Sequence, residues 1–391
     1  MMHGYLFISN GSKPTPEQYA SLEQITIGSF SFVAMSAAQE LGYRLYYGLN
    51  KAHADKVSCT NFDVTFYDQH IYRSIFAFKD NYKAYRNCCI FLEDHPDIEV
   101  IHCNTPIGGV IGRLCGHKYG KKVIYTAHGF HFYKGAPLKN WLIYYPVEKI
   151  LARLTDVMIT INHEDYEVAS NRFKLHKGGK VYYVPGVGID TATTVSTNET
   201  DRKKMRACLG LKDEDIVCVI VGDLNNNKNV KTLVSALVQC YSNVHYVICG
   251  LGPNENKLKK QAIQLGIADR CHFLGYRTDV KEVYCASDMF LFASKREGLP
   301  RSTMEAMCTG LPCIVSKIRG NVDLIDEGRG GRLISPEDVD GFTNAINELA
   351  RKPDLRKKYG EYNKEKIKFF DKDIVKERQI DILKRIFLSR K

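Results

Sequence analysis

Short apolar runs alternate with longer helix-like stretches along almost the whole 391-residue chain, and the alternation stops and restarts near the middle. Gly4–Ile8 predicts a strand, 33–41 a helix and 44–48 a second strand. Residues 100–102 and 122–126 predict buried strands, with a helix over 109–119 between them. A long helix over 138–154, interrupted near Pro146, precedes a strand over 157–161. In the second half, 216–221 reads as a strand ending in Gly222, 229–239 as a helix, and 245–249 as a strand ending in Gly250, Gly252 and Pro253. A helix over 256–266 and short strands at 272–274, 289–292 and 312–316 continue the series. Alternation of this kind predicts an α/β chain with parallel, doubly wound sheets.

The restart and the length together predict two Rossmann-like domains, because a single core rarely organises this many residues. The expected division is 1–190, 191–370 and a charged C-terminal helix over 371–391 that packs back on the first domain. The polar, threonine-rich stretch 190–202 reads as the linker. Two such halves are expected to face a central cleft that encloses ligand by hinge closure. Residues 10–28 fit less well, placing a long polar connection where a short loop is usual, and read as a lid or an insertion.

Composition limits the class of function. Hydrophobic residues make up 44% and charged residues 25%, as in soluble globular proteins. No apolar run is long enough to span a bilayer, and the start of the chain carries no secretion pattern. The thirteen cysteines are odd in number, scattered and without a C-x-x-C pair, which fits a reduced cytoplasmic compartment and no metal site. A net charge of +11 suits an anionic membrane surface, nucleic acid or anionic substrates. No nucleic-acid motif accompanies it, so no nucleic-acid partner is expected.

The chemistry concentrates in the stretch from Ser294 to Ala306, which follows an apolar strand and leads into a helix with Arg301 to Met304 as its first turn. A helix N-terminus offers unpaired N–H groups and positive potential, which suits a diphosphate. Gly298 permits close backbone approach, and Pro300 suits a helix start. Glu297 and Glu305 stand eight positions apart and bracket this turn. The first can reach a sugar, and the second, about two turns along, a ribose. As isolated glutamates they would be surface carboxylates; the strand–Gly–Pro–helix setting favours a site.

Here the sequence resembles the retaining glycosyltransferases of family four, which have the two-domain GT-B fold and a signature of two glutamates with seven residues between. The resemblance runs roughly over 100–332. It implies that Glu297 contacts the donor sugar and Glu305 the nucleotide ribose, with Leu299, Arg301 and Ser302 on the same donor-binding turn. The segment 184–190 resembles the one these enzymes place before the second domain. Gly222, Lys228 and Asn229 resemble the first strand–loop of that domain, where lysine binds the donor diphosphate. Gly250 and Gly252 match its next loop, and Tyr276 and Arg277 a loop near the base. Asp223 departs from the arginine many members carry, which leaves more of the phosphate charge to Lys228, with Arg296 or Arg301 in support.

In the first half, 125–135 follows a strand at the end expected to face the cleft. The resemblance places a sugar-contacting histidine at His128; His131, Phe130 and Tyr133 are candidate acceptor-side residues. With 102–106 before it, the stretch looks like polymer-building bacterial members that extend undecaprenyl-diphosphate-linked sugars. The implied reaction is retaining transfer of a hexose or N-acetylhexosamine from a nucleotide sugar, UDP by resemblance, with Glu297, His128 and Lys228 as its catalytic residues and no metal cofactor. The task it implies is surface polysaccharide biosynthesis, capsular or exopolysaccharide, at the cytoplasmic membrane face. The helix over 138–154 carries Trp141, Tyr144, Tyr145 and Pro146 among basic residues, and either rests on that membrane or packs on the sheet. Rival readings are a GT-B nucleotide-sugar epimerase and a non-catalytic sugar- or lipid-binding protein.

Overall fold

The computed structural model describes residues 3–21, 23–72, 74–192 and 199–388. The chain divides into one unit running up to Gly188 and resuming at Lys372, and a second formed by Ile189–Asp371. Of the stretch expected as a linker, 193–198 lie outside the described residues, as do Arg390 and Lys391 of the basic tail.

Seven strands form the first unit's sheet: β1 (Gly4–Ile8), β2 (Arg44–Leu49), β3 (Val64–Asp68), β4 (Ile98–Asn104), β5 (Lys122–Ala127), β6 (Val157–Thr160) and β7 (Lys180–Tyr183). They lie in the order β3-β2-β1-β4-β5-β6-β7, all parallel. Every residue of β1 is buried, as a strand covered on both faces requires. The helices are α1 (Pro16–Ala20), α2 (Ser29–Glu40), α3 (Phe78–Asp94), α4 (Ile107–Lys118), α5 (Leu138–Ala152) and α6 (His163–Arg172). α2 covers one face of the sheet and α3 to α6 the other.

The second unit has six parallel strands: β8 (Ile216–Val221), β9 (Val244–Cys249), β10 (Cys271–Gly275), β11 (Met289–Phe292), β12 (Cys313–Ser316) and β13 (Gly331–Ile334). Their order is β10-β9-β8-β11-β12-β13. Its helices are α7 (Glu199–Cys208), α8 (Val230–Leu237), α9 (Glu255–Gln264), α10 (Val280–Ala286), α11 (Arg301–Cys308), α12 (Asn321–Leu324), α13 (Val339–Arg351) and α14 (Pro353–Ile367). α8, α9 and α13 pack on one face, α10 and α11 on the other. The last helix, α15 (Lys372–Leu388), belongs to the first unit, where Val375, Ile380 and Leu383 share the core beneath α2.

Three strands of the two large sheets escape the sequence pattern, and each is a sheet edge: β3, β7 and β13. An edge strand has one neighbour and less cover, so it lacks the continuous apolar run that marks a central strand. Pro146 does not interrupt α5, which runs unbroken through it. Its ring lies on the exposed side, so the bond its missing N–H would have made to Leu142 is lost where water replaces it.

The described residues of the 10–28 connection are folded. Thr15 and Gln18 close a capping box on α1. The Tyr19 hydroxyl donates to Asp68 at the end of β3, Lys13 lies 3.7 Å from Asp80, and Gln24–Ile25 pairs with Ser58–Cys59.

Candidate functional site

In the second unit the strand order reverses between β8 and β11, the place where open parallel sheets bind ligands beyond their C-terminal ends. The loops leaving these two strands are stitched together. The Lys295 N–H donates to the Asn227 carbonyl (2.8 Å), and the Asn227 amide donates to Ser294 Oγ (3.2 Å) and the Arg296 carbonyl (3.0 Å). This brings together residues 69 positions apart: Lys228 Nζ lies 2.8 Å from Glu297 Oε1. Ser294, fully buried, donates its hydroxyl to the same carboxylate oxygen at 2.5 Å. Lys228 also sits 4.8 Å from the Phe292 ring centroid. Both members of the pair are partly buried, so their charges are less screened than a surface pair's yet still reachable by a ligand.

Behind Glu297, Arg319 Nε donates to its carbonyl (3.0 Å). Gly320 has φ of 82°, and a Cβ there would fall 2.4 Å from the Gly298 carbonyl, so this close approach requires glycine. Gly250 is constrained similarly, since its Cβ would lie 2.0 Å from the Gly222 carbonyl.

α11 begins at Arg301, with Pro300 at its N-cap and no side-chain cap bond. The N–H groups of Arg301, Ser302 and Thr303 form a first turn suited to an anion. Glu305 accepts from Arg301 Nε (2.8 Å) and lies 3.5 Å from the Tyr284 hydroxyl, which donates to the Ser302 carbonyl at 3.1 Å. Burial, and then the Glu305 charge, push the Tyr284 phenol well above its usual range, so it stays a donor.

The other donor-side candidates divide. Asn229 turns its side chain inward, donating to the Ala293 and Pro336 carbonyls and accepting from Thr232. Leu299 packs against the core. Arg277 is tied to Asp279, and Tyr276 is exposed beside it. Asp223 is exposed.

In the first unit, the loop after β5 is held from α6. The Phe130 N–H donates to Asp165 Oδ2 (3.1 Å), Asn162 orients that carboxylate (2.8 Å), and the Lys134 N–H donates to Glu164 (2.6 Å). The His128 N–H donates to Thr105 Oγ1 (3.2 Å), and its ring meets Phe30 edge-on at 5.6 Å. His131 stacks on Tyr144 at 4.5 Å, and Tyr133 is partly exposed on the same loop. Phe130 needs correction as an acceptor-side residue. Its ring is buried, stacked on Phe132 and edge-on to Phe173, so it anchors the loop and presents no face to a sugar.

Asn10 clamps the loop after β4, donating to the Asn104 and Thr105 carbonyls (2.8 and 2.7 Å) and accepting from the Gly108 N–H. Sequence reasoning missed Asn10, Phe30, Asn227, Tyr284 and Asp165 as supports. Only the Asn225–Asn227 run before Lys228 hinted at one of them.

Residues 201–366 match the family model described as "Glycosyl transferases group 1". EpsD of Bacillus subtilis, assigned by name as a glycosyltransferase, is 37% identical over 274 residues, 68% of this chain and 71% of that protein. The UDP-Gal:alpha-D-GlcNAc-diphosphoundecaprenol alpha-1,3-galactosyltransferase of Escherichia coli is 32% identical over 256 residues, 63% of this chain and 65% of that enzyme. The crystal structure of Anabaena HepE in complex with UDP aligns over 98% of this chain and 100% of its own, with a TM-score of 0.75 at 18% identity, a likeness of fold. The chain belongs to the group 1 glycosyltransferases, enzymes of GT-B fold.

Proposed function

We propose that this enzyme transfers a hexose or N-acetylhexosamine, with retention, from a UDP-sugar to an undecaprenyl-diphosphate-linked saccharide. The task is surface polysaccharide synthesis, capsular or exopolysaccharide, at the cytoplasmic face of the membrane. The observation that carries this reading is the Lys228–Glu297 pair at 2.8 Å, next to the uncapped start of α11. UDP is favoured by the ligand named for HepE, and the lipid-linked acceptor by the name of the Escherichia coli relative.

Donor binding would exchange the ion pair for one in which Lys228 meets the diphosphate and Glu297 the sugar hydroxyls. The α11 N-terminus then faces the same diphosphate, and Glu305 accepts from the ribose. In the chemical step the bond between the anomeric carbon and the phosphate oxygen breaks, and UDP leaves with the electron pair. The acceptor hydroxyl bonds to the same face of the sugar, and its proton passes to the departing phosphate. Lys228 and the helix terminus stabilise the charge that grows there. Glu297 orients the sugar and stays unbonded, since a covalent role needs a carboxylate on the opposite ring face. His128 contacts the transferred sugar, with His131 and Tyr133 toward the acceptor. The reading assigns no metal cofactor.

The test is a mass-spectrometric screen of UDP-sugars against short-chain polyprenyl-diphosphate saccharides. Transfer by the wild type and its loss in folded Glu297→Ala are expected. Wild-type turnover in that variant would remove Glu297 from the mechanism. Conversion of the donor without acceptor would instead indicate an epimerase.

A further inference from the structure

The outer helical layer of the first unit carries a face that its core does not use. α5 turns Trp141, Tyr144 and Tyr145 toward the sheet. Its one acidic residue, Glu148, also turns inward, accepting from buried Arg113 (2.7 Å) and from the Tyr125 hydroxyl (2.7 Å). What remains outward is Leu138, Leu142, Ile143, Val147 and Ile150, all exposed, among Lys139, Lys149 and Arg153. An ordinary surface helix reverses this, with apolar residues in and charges of both signs out.

The pattern continues on α3, which lies beyond α4 on the same side of the sheet. Phe76, Phe78 and Tyr82 are 77%, 74% and 65% exposed, beside Lys79, Lys83 and Arg86. The exposed residues of 75–86 and 134–153 include no aspartate or glutamate; the exposed acids of α3, Glu93 and Asp94, come at its far end. Both helices begin beyond the C-terminal ends of the strands they follow, so Phe78 and Leu138 in their first turns rim the same end of the sheet as the 128–135 loop.

We infer that the outward faces of α5 and the start of α3 dock on a bilayer containing anionic lipid, apolar side chains entering the interface and lysines and arginines meeting headgroups. The docking rests on the proposed lipid-linked acceptor: a face beside the acceptor loop that sits at the interface brings a membrane-borne diphosphate sugar within reach. Charge selects the occupant. A protein partner calls for matched polar groups of both signs at the rim, whereas an anionic bilayer needs only apolar residues and cations.

Flotation with vesicles of phosphatidylglycerol and phosphatidylcholine, compared with phosphatidylcholine alone, tests this on the full chain. Wild type is expected to float with the anionic vesicles and to be released by salt. Leu142→Glu/Val147→Glu is expected to bind at least about tenfold more weakly with unchanged affinity for UDP. Ile263→Glu, an equally exposed apolar position on α9, should bind vesicles as wild type does. Equal flotation of the double variant and wild type, or no flotation of wild type at low salt, overturns the docking face. So does a wild-type dimer that the double variant converts to monomer without vesicle binding, which would make the face an interface between copies. Vesicle binding without transfer to any lipid-linked sugar supports the docking face and overturns the acceptor assignment instead.

Discussion

At the residue scale, Glu297 is restrained before any ligand arrives. Lys228 is expected to leave it for the diphosphate, whereas Ser294 has no such competing task and keeps the carboxylate in place. Ser294→Ala is therefore expected to lower kcat by about 10- to 100-fold, the worth of one hydrogen bond to a charged group, with KM for the donor nearly unchanged. Steady-state kinetics on the folded variant checks this; a rise in KM alone would assign Ser294 to binding. Tyr284 stands behind Glu305 and the first turn of α11, so Tyr284→Phe should weaken UDP binding about fivefold, measurable by calorimetry. His102 is buried between Tyr5 and Thr126, and burial holds its imidazole down at about 3. The unfolded chain takes that proton near ~6.5, so the stability linked to His102 is full above that pH and is lost as pH falls toward about 3. Urea midpoints should drop between pH 7 and pH 5 by less in His102→Asn than in wild type. The glutamate pair was legible because its spacing lies within one segment. Asn227 and Tyr284 were not recognisable as supports, since adjacent strand ends bring Asn227 to its partners and the packing of α10 and α11 in one core brings Tyr284 to its own.

At the element scale, α4 shows a helix whose sequence argues against its own stability. Its glycines lower helix propensity, yet a Cβ at Gly112 would lie 2.6 Å from Cys103 Cβ, and one at Gly116 2.3 Å from Val123 Cγ2. The bare backbone lets α4 rest directly on β4 and β5. Gly112→Ala would gain about 1 kcal/mol of helix propensity and lose about 1–3 kcal/mol to overpacking. With the Cβ of Cys103 unable to swing aside, net destabilisation is expected in a urea titration. Helix 109–119 was legible in outline from its periodicity, but the reason for its glycines lies in the strand it covers. The edge strands β3 and β7 make the converse case, since pairing with β2 and β6 gives them a structure that their sequences announce weakly.

At the scale of the whole molecule, the chain leaves the first unit at Gly188 and re-enters it at Lys372. α15 places Val375, Ile380 and Leu383 in the core with α2, and Lys376 reaches Glu40 at 3.0 Å. Truncation after Asp371 should strip this cover from the first unit, promoting its aggregation or proteolysis, while the second unit keeps its affinity for UDP. Limited proteolysis with calorimetry separates the two outcomes. By itself the sequence determined the two series of parallel strands, the helix beginning at Arg301 and the candidacy of Glu297 and Glu305, because periodicity and short spacing are local properties. Tertiary structure alone decided which side of α5 lies outward, that Phe130 is core, and that Lys228 pairs with Glu297 from 69 positions away. Those depend on contacts between segments far apart in the chain, and a side chain's surroundings exist only once the strands that carry it have paired.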